Sequence, residues 1–476
     1  MNTPAPTPDS TPTQVDGALA AAHTASPALR ATHGTQRAQW LRAVGTGIDG
    51  ARDELLDIAV AESHLARTAL NGEVSRTIFQ LEHFAEAAES GELLGVLIEG
   101  ADADYPIAAR PSLVQARQPI GPVLVFTASN FPFAFSVAGN DFASALAAGC
   151  PVVVKANPGH LRLSARTAEI VAAALSSAGA PQGAFAHIQG VDAGLTALQD
   201  PRIKACGFTG SVAGGRALFD IAVSRPDPIP FYGELGSLNP VFVTPAAAAA
   251  RGQEIGAGFA ASVTFRGGQL CTKPGVIVTP KDAGVREAAT QAVAQAEPVA
   301  LLTDRISSAY VEGTKQLSNM PGALLLVSGD GTAPALVSIP AASVLSGDAR
   351  SIEECFGPAA VVIEYDDPNQ LGELARTLGP SLTATIHGEE SDDAAAALVP
   401  ELSELAGRVI WNGWPTGVSV TRALHHGGPY PATTSPTYGS IGAGSASRWL
   451  RPVTYQNWPN HLLPAPIRDE IEAAAL

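Results

Sequence analysis

Between residues 121 and 208, short runs of Val, Ile, Leu and Phe alternate with Ala-rich stretches, and no other feature constrains the fold as strongly. Val123–Phe126 and residues 151–155 each read as a strand apolar on both faces, with no polar residue before the end of the run. Helices are predicted through Ala148 and over residues 163–178. Residues 184–189 and 203–208 read as further strands, separated by a helical segment at 193–198. Strands buried on both faces and joined by helices predict a parallel, doubly wound α/β sheet.

The flanks differ. Residues 15–99 place Ala, Leu and charged residues at three- and four-residue spacing, which predicts helices. Residues 105–117 alternate weakly, as in an antiparallel hairpin able to pair with a neighbouring subunit. A second α/β region runs from about 234 to 432, with a helix near 252–265 and strands at 276–278, 359–363 and 408–411. Residues 448–458 are rich in β-formers and Pro, and suit an arm reaching across an interface. The expected division is a disordered tail at 1–14, a nucleotide-binding domain from 15–102 and 119–233, a catalytic domain at 234–440, and a small β oligomerisation arm from 103–118 and 448–476. At 476 residues the chain is long enough for such a division.

A formal charge of −16 excludes nucleic acid and acidic membranes as expected partners, since both would be repelled. No apolar stretch reaches the roughly 20 residues that span a bilayer. The N-terminus lacks the basic and apolar regions of a secretory signal. Cys150, Cys206, Cys271 and Cys355 are widely spaced, with no metal-site pattern. Reduced thiols, a cytoplasmic location and no metal are therefore expected.

Five segments carry the chemistry, in this order: Ala128-Ser129-Asn130-Phe131-Pro132, Gly207-Phe208-Thr209-Gly210-Ser211, Glu234-Leu235-Gly236-Ser237, Gly268-Gln269-Leu270-Cys271-Thr272 and Glu353-Glu354-Cys355-Phe356-Gly357-Pro358. Taken singly, each has an ordinary explanation. A lone cysteine is more often a small buried hydrophobe, and that reading is kept for Cys150, Cys206 and Cys355. A Gly-rich turn is usually just a tight strand-to-helix connection. In order and at this spacing, the five resemble the aldehyde dehydrogenase superfamily from about residue 15 to the C-terminus.

That resemblance implies an NAD(P)-dependent oxidation of an aldehyde to a carboxylate through a thioester on Cys271. It makes Cys271 the nucleophile and Glu234 the base that activates water. It sets the Asn130 amide and the Cys271 backbone N–H at the oxyanion, where losing one donor costs about 2.7–4 kcal/mol. It places Gly210 and Ser211 near the cofactor diphosphate, Gly215 at a close helix contact, Lys155 at the adenosine ribose, and Glu354 with Phe356 at the nicotinamide ribose. No GxGxxG follows the first strand. Many relatives carry a glutamate where this chain has Pro158, which removes the repulsion against a 2′-phosphate and admits NADP as well as NAD. Many also carry a lysine where this chain has Gly139, so no proton relay runs through that position. A homodimer or homotetramer is implied.

Further stretches, among them 129–139, 411–418, 426–433 and 449–457, resemble the branch holding 2,5-dioxovalerate (α-ketoglutarate semialdehyde) dehydrogenases and NADP-linked fatty aldehyde dehydrogenases. The chain departs from that branch at 419–425 and at Arg266. A keto-acid aldehyde needs a cation for its carboxylate, and Arg266 or Arg422 is the expected source, although surface arginines are common. Phe131, Phe135, Phe265 and Thr272 are expected around the substrate. The same aromatics, with Trp411 and Trp414, suit a tunnel for a medium- or long-chain aliphatic aldehyde. Two other outcomes are a CoA-acylating enzyme, against which Glu234 speaks, and a catalytically silent protein on the same fold.

Overall fold

In the computed structural model, which describes residues 8–347 and 352–474, the chain opens with four helices: α1 (Pro12–Arg30), α2 (Gly34–Gly50), α3 (Arg52–Ser63) and α4 (Arg67–Glu89). The expected tail at 1–14 is corrected in part. Thr11 caps α1 by accepting from Gln14 N–H, Gln14 returns the bond, and Pro12 occupies the first helical turn. Ser10 N–H also donates to the Gln189 carbonyl at 2.9 Å. Residues 1–7 lie outside the described residues.

Next come β1 (Leu97–Glu99), β2 (Leu113–Pro119), β3 (Val123–Phe126), α5 (Asn140–Ala148), β4 (Val152–Lys155), α6 (Leu161–Ser177), β5 (Phe185–Ile188), α7 (Val191–Gln199), β6 (Ala205–Thr209), α8 (Val212–Val223) and β7 (Phe231–Glu234). Strands β3 to β7 form a parallel sheet ordered β5-β4-β3-β6-β7. β3 and β4 are buried at every position, as their uninterrupted apolar runs require. Helices α2, α4, α5 and α6 pack around one core with this sheet, through Trp40, Leu41, Leu81, Phe84, Phe142 and Leu146.

The second half supplies β8 (Val241–Val243), α9 (Pro245–Thr264), β9 (Val276–Pro280), β10 (Leu324–Val327), β11 (Ala335–Pro340), β12 (Ala359–Tyr365), β13 (Ser381–His387) and β14 (Ala406–Trp411). They form a seven-stranded sheet ordered β10-β11-β12-β9-β8-β13-β14, antiparallel only between β10 and β11. The last strand, β15 (Leu450–Gln456), pairs antiparallel with β2, whose other neighbour is β1. The hairpin read at 105–117 is corrected: its second arm is β2, but the first lies earlier, at β1, with the Asp102–Arg110 bridge between them, and the longer partner of β2 is β15 at the far end of the chain.

Candidate active site

All strands of a parallel sheet end on one edge, and ligands bind where the strand order reverses. Here the reversal falls between β3 and β6. Phe126 is level with Lys155 and with Phe208, and Thr209 with Glu234. The loop bearing Asn130, the end of β4, the turn into α8 and the end of β7 therefore meet on one edge.

Cys271 comes from the other half, between α9 and β9. Arg266, Gly267 and Gly268 have φ of 52°, 65° and 65°, three left-handed residues that turn the chain back on itself. A side chain on Gly268 would strike the Gly357 backbone. Asn239 Nδ2 donates to the carbonyls of Cys271 (2.8 Å) and Lys273 (2.9 Å), and the buried Lys273 Nζ donates to those of Cys355 (2.8 Å) and Ala359 (2.7 Å). The nucleophile segment is thus tied to β12 and to the turn before β8.

The Asn130 amide donates to the Gln269 carbonyl at 3.1 Å, leaving its second N–H for an oxyanion at Cys271. Glu234 is buried, with Oε1 3.1 Å from His426 Nε2 and Oε2 accepting from the Ser440 hydroxyl. The same His426 nitrogen lies 3.5 Å from Cys271 Sγ. Burial pushes the Glu234 carboxyl up, but His426, Ser440 and Cys271 together outweigh burial and hold it below the usual range. Burial, joined by the Glu234 charge, pushes the Cys271 thiol well above its usual range, against a smaller opposing pull from Arg76. Cys271 thus rests as a thiol whose proton His426 can take. The ligating atoms of Glu234, Cys271 and His426 lie within 4.8 Å of one another, so a soft divalent cation held there would occupy the nucleophile.

Of the residues expected at the cofactor, Gly210, Ser211 and Gly215 build the start of α8, and Lys155 ends a strand of the same sheet. Ser211 caps that helix by accepting from Gly214 N–H at 3.3 Å, and Gly210 N–H donates to the Glu234 carbonyl at 3.0 Å. A Cβ on Gly215 would collide with Leu235 and stand 3.0 Å from the Phe208 ring, so only glycine lets α8 lie this close to the strand ends. Lys155 closes β4 with its ammonium 6.0 Å from the Phe126 ring centre, and burial pushes its pKa down. Burial pushes the Glu354 carboxyl up to about 7, with Lys273 pulling it back; it lies against Gly236, where a Cβ would come within 2.5 Å of it. Phe356 packs on the first core. A helix start held tight by glycine, a lysine and a carboxyl on one edge fit a nicotinamide dinucleotide. Pro158 opens a short turn, Pro158–His160, whose cap is Asn157, and brings no carboxylate.

On the substrate side, Phe131 and Phe135 meet edge to face at 5.6 Å, both partly buried. Thr272 is buried beside the nucleophile, and Phe265 is 54% exposed. The arginine expectation is corrected twice. Arg266 Nη2 is paired with buried Glu73 at 3.1 Å and reaches the Asn130 carbonyl at 3.4 Å, so its charge is already answered. Arg422 is 65% exposed and paired with Glu92 at 2.8 Å. Gly139 has an equally physical reason to lack a side chain: a Cβ would sit 2.6 Å from the Ala134 carbonyl oxygen. Sequence reasoning gave no role to His426, Ser440, Asn239, Lys273 or Arg76. Only His426 carried a signal, as the first residue of a branch-like stretch.

The profile of the Aldehyde dehydrogenase family matches residues 2–308. The chain is 40% identical over 467 residues to alpha-ketoglutaric semialdehyde dehydrogenase 2 of Azospirillum brasilense, covering 96% of this chain and 89% of that one. It is 39% identical, over the same shares, to alpha-ketoglutaric semialdehyde dehydrogenase of Acinetobacter baylyi. Among solved structures it is similar in fold to a 1-pyrroline-5-carboxylate dehydrogenase from Thermus with bound NAD (TM-score 0.78, 19% identity, 94% of this chain and 86% of that one). The lactaldehyde dehydrogenase of Escherichia coli is as similar (TM-score 0.78, 21% identity, 94% and 92%). The chain belongs to the aldehyde dehydrogenase family.

Proposed function

We propose that this aldehyde dehydrogenase oxidises 2,5-dioxovalerate to 2-oxoglutarate with NADP or NAD, by way of a thioester on Cys271. The substrate assignment rests on the full-length likeness to alpha-ketoglutaric semialdehyde dehydrogenases.

The chain's own residues account for the steps. His426 Nε2 passes its proton to Glu234 Oε1 and takes the one on Cys271 as sulfur attacks the aldehyde carbon, so that the thiol proton is in effect relayed to Glu234. The new alkoxide is met by the free N–H of Asn130 and by the Cys271 backbone N–H, donors fixed before the reaction begins. When bound, the nicotinamide supplies the acceptor for the hydride that leaves this carbon. Lys155, Gly210, Ser211, Gly215, Glu354 and Phe356 would hold the dinucleotide. Glu234, which its neighbours favour in the ionised form, releases that proton to solvent and then takes one from the water that attacks the thioester, and carboxylate and free Cys271 result. With no carboxylate at Pro158 to repel a 2′-phosphate, NADP is accepted alongside NAD.

The three-stranded sheet of β1, β2 and β15 exposes Leu97, Ile98 and, nearby, Ile107, and we assign it to a homo-oligomer contact. NAD(P)H formation with 2,5-dioxovalerate and with hexanal, each with NADP and NAD, tests the substrate reading. A clear preference in kcat/KM for dioxovalerate, lost in Cys271→Ala, is expected; a preference for hexanal would assign the site to aliphatic aldehydes.

A further inference from the structure

Three arginines crowd the approach to Cys271, and two of them are spoken for. Arg266 is paired with Glu73. Arg408, whose charge also reaches Cys271, gives Nη1 to the Gly417 carbonyl at 2.7 Å and Nη2 to that of Pro415 at 2.5 Å; its Nε alone is buried without a partner among the described residues, which leaves no two-nitrogen edge free. Arg76 is different. It lies on α4, one turn after Glu73, and its guanidinium carbon is 5.6 Å from each of the Phe131 and Phe135 ring centres. Its Nε and Nη2 are buried with no hydrogen-bond partner among the described residues. Its charge acts on both Cys271 and Glu234.

The nearby carboxylates point the same way. Glu73 spends one oxygen on the backbone N–H groups of Phe133 (2.9 Å) and Ala134 (3.1 Å) and the other on Arg266. No oxygen of Glu73 is left for Arg76, and the other buried carboxylate within reach of its charge, Glu234, already gives one oxygen to His426 and the other to Ser440. The free Nε/Nη2 edge is the part of a guanidinium that grips a carboxylate through two parallel bonds. The guanidinium carbon lies over the faces of both Phe131 and Phe135, whose ring electrons attract a cation at this distance.

We propose that Arg76 is the specificity-determining residue that binds the carboxylate at the far end of an ω-carboxylated aldehyde, a role the sequence suggested for Arg266 or Arg422. The inference rests on the reading of an anionic substrate but not on dioxovalerate as that substrate. Any short aldehyde with a distal carboxylate satisfies it.

The test compares kcat/KM for 2,5-dioxovalerate, succinate semialdehyde and pentanal in wild type, Arg76→Met and Arg76→Lys. The ratio of anionic to neutral substrate is read within each protein, so a partly misfolded preparation cancels. In Arg76→Met this ratio is expected to fall by about 100-fold, mostly through KM, as for loss of one partner of a desolvated charge pair. Arg76→Lys, which keeps the charge but not the fork, recovers part of it. A ratio unchanged within about threefold overturns the proposal, including the case where all three rates fall together and Arg76 merely supports the thiolate. A wild type with no preference for the anionic aldehydes overturns it as well. A wild type that prefers succinate semialdehyde overturns dioxovalerate as substrate and leaves Arg76 in place. Should Arg76→Met fail to fold, phenylglyoxal labelling of wild type decides: glutarate is expected to protect the Arg76 peptide, and equal labelling with and without glutarate contradicts the assignment.

Discussion

The imidazole Nε2 of His426 lies 3.5 Å from the Cys271 sulfur, although 155 positions separate the two residues in the chain. The same nitrogen is 3.1 Å from Glu234 Oε1, so it cannot donate to the carboxylate and accept the thiol proton at once. Its own proton must pass to Glu234 before it can accept the one on sulfur. His426→Asn is therefore expected to lower kcat/KM at neutral pH by about 100-fold, the lower end for a lost general base. Because burial and Glu234 hold the thiol pKa high, thiolate without His426 forms only as pH rises. The variant's rate of iodoacetamide alkylation should keep climbing into the alkaline range, above the point where wild type levels off. Superimposable profiles would deprive His426 of this role.

Glu354 offers a second pH signature. With its carboxyl pushed up to about 7 by burial, it is largely protonated at pH 6 and charged at pH 8. A carboxylate accepts from ribose hydroxyls better than a carboxylic acid, so cofactor affinity is expected to rise as pH passes upward through about 7. Glu354→Gln should bind more weakly at pH 8 and lose that dependence. Cofactor titration by fluorescence at both pH values measures it, and a variant as pH-dependent as wild type would count against this assignment.

Restoring the lysine that many relatives carry at position 139 should harm this protein. The Gly139 Cα faces the Ala134 carbonyl with no room for a Cβ, so Gly139→Lys must shift the Asn130 loop. Overpacking of this kind costs about 1–3 kcal/mol. A lower melting temperature together with reduced kcat is expected; a fully active variant of unchanged stability would mean that the loop is less constrained than its geometry indicates.

Glu73 is buried under the same loop and anchors it through Phe133 N–H, Ala134 N–H and Arg266. Glu73→Ala strands a guanidinium that is only 12% exposed, a change that typically costs about 3–5 kcal/mol. Urea unfolding followed by fluorescence should show a transition at clearly lower denaturant. An unshifted transition would show that Arg266 finds another partner.

The parallel sheet was legible because β3 and β4 are uninterrupted apolar runs, and the resemblance of the five motifs to the aldehyde dehydrogenase superfamily grouped Asn130, Glu234 and Cys271 in one site. What stayed hidden depends on contacts between distant parts of the chain. No local pattern announces that Arg266 will meet Glu73, 193 residues away, or that β2 will pair with β15. Arg76 reads as one more charge on an amphipathic helix until its face is seen to lack a partner. The N-terminal miss is of another kind. Thr11-Pro12-Thr13-Gln14 spells a capping box with proline in the first turn, a start signal present in the sequence and outweighed by the Pro-Thr composition around it.

The central claim, a thioester on Cys271 that Glu234 helps water to hydrolyse, is tested most directly by mass spectrometry of Glu234→Gln mixed with 2,5-dioxovalerate and NADP. The predicted result is a burst of NADPH no larger than the enzyme concentration, with an acyl adduct on the Cys271 peptide. Steady turnover at the wild-type rate, or an adduct on any other residue, would contradict it.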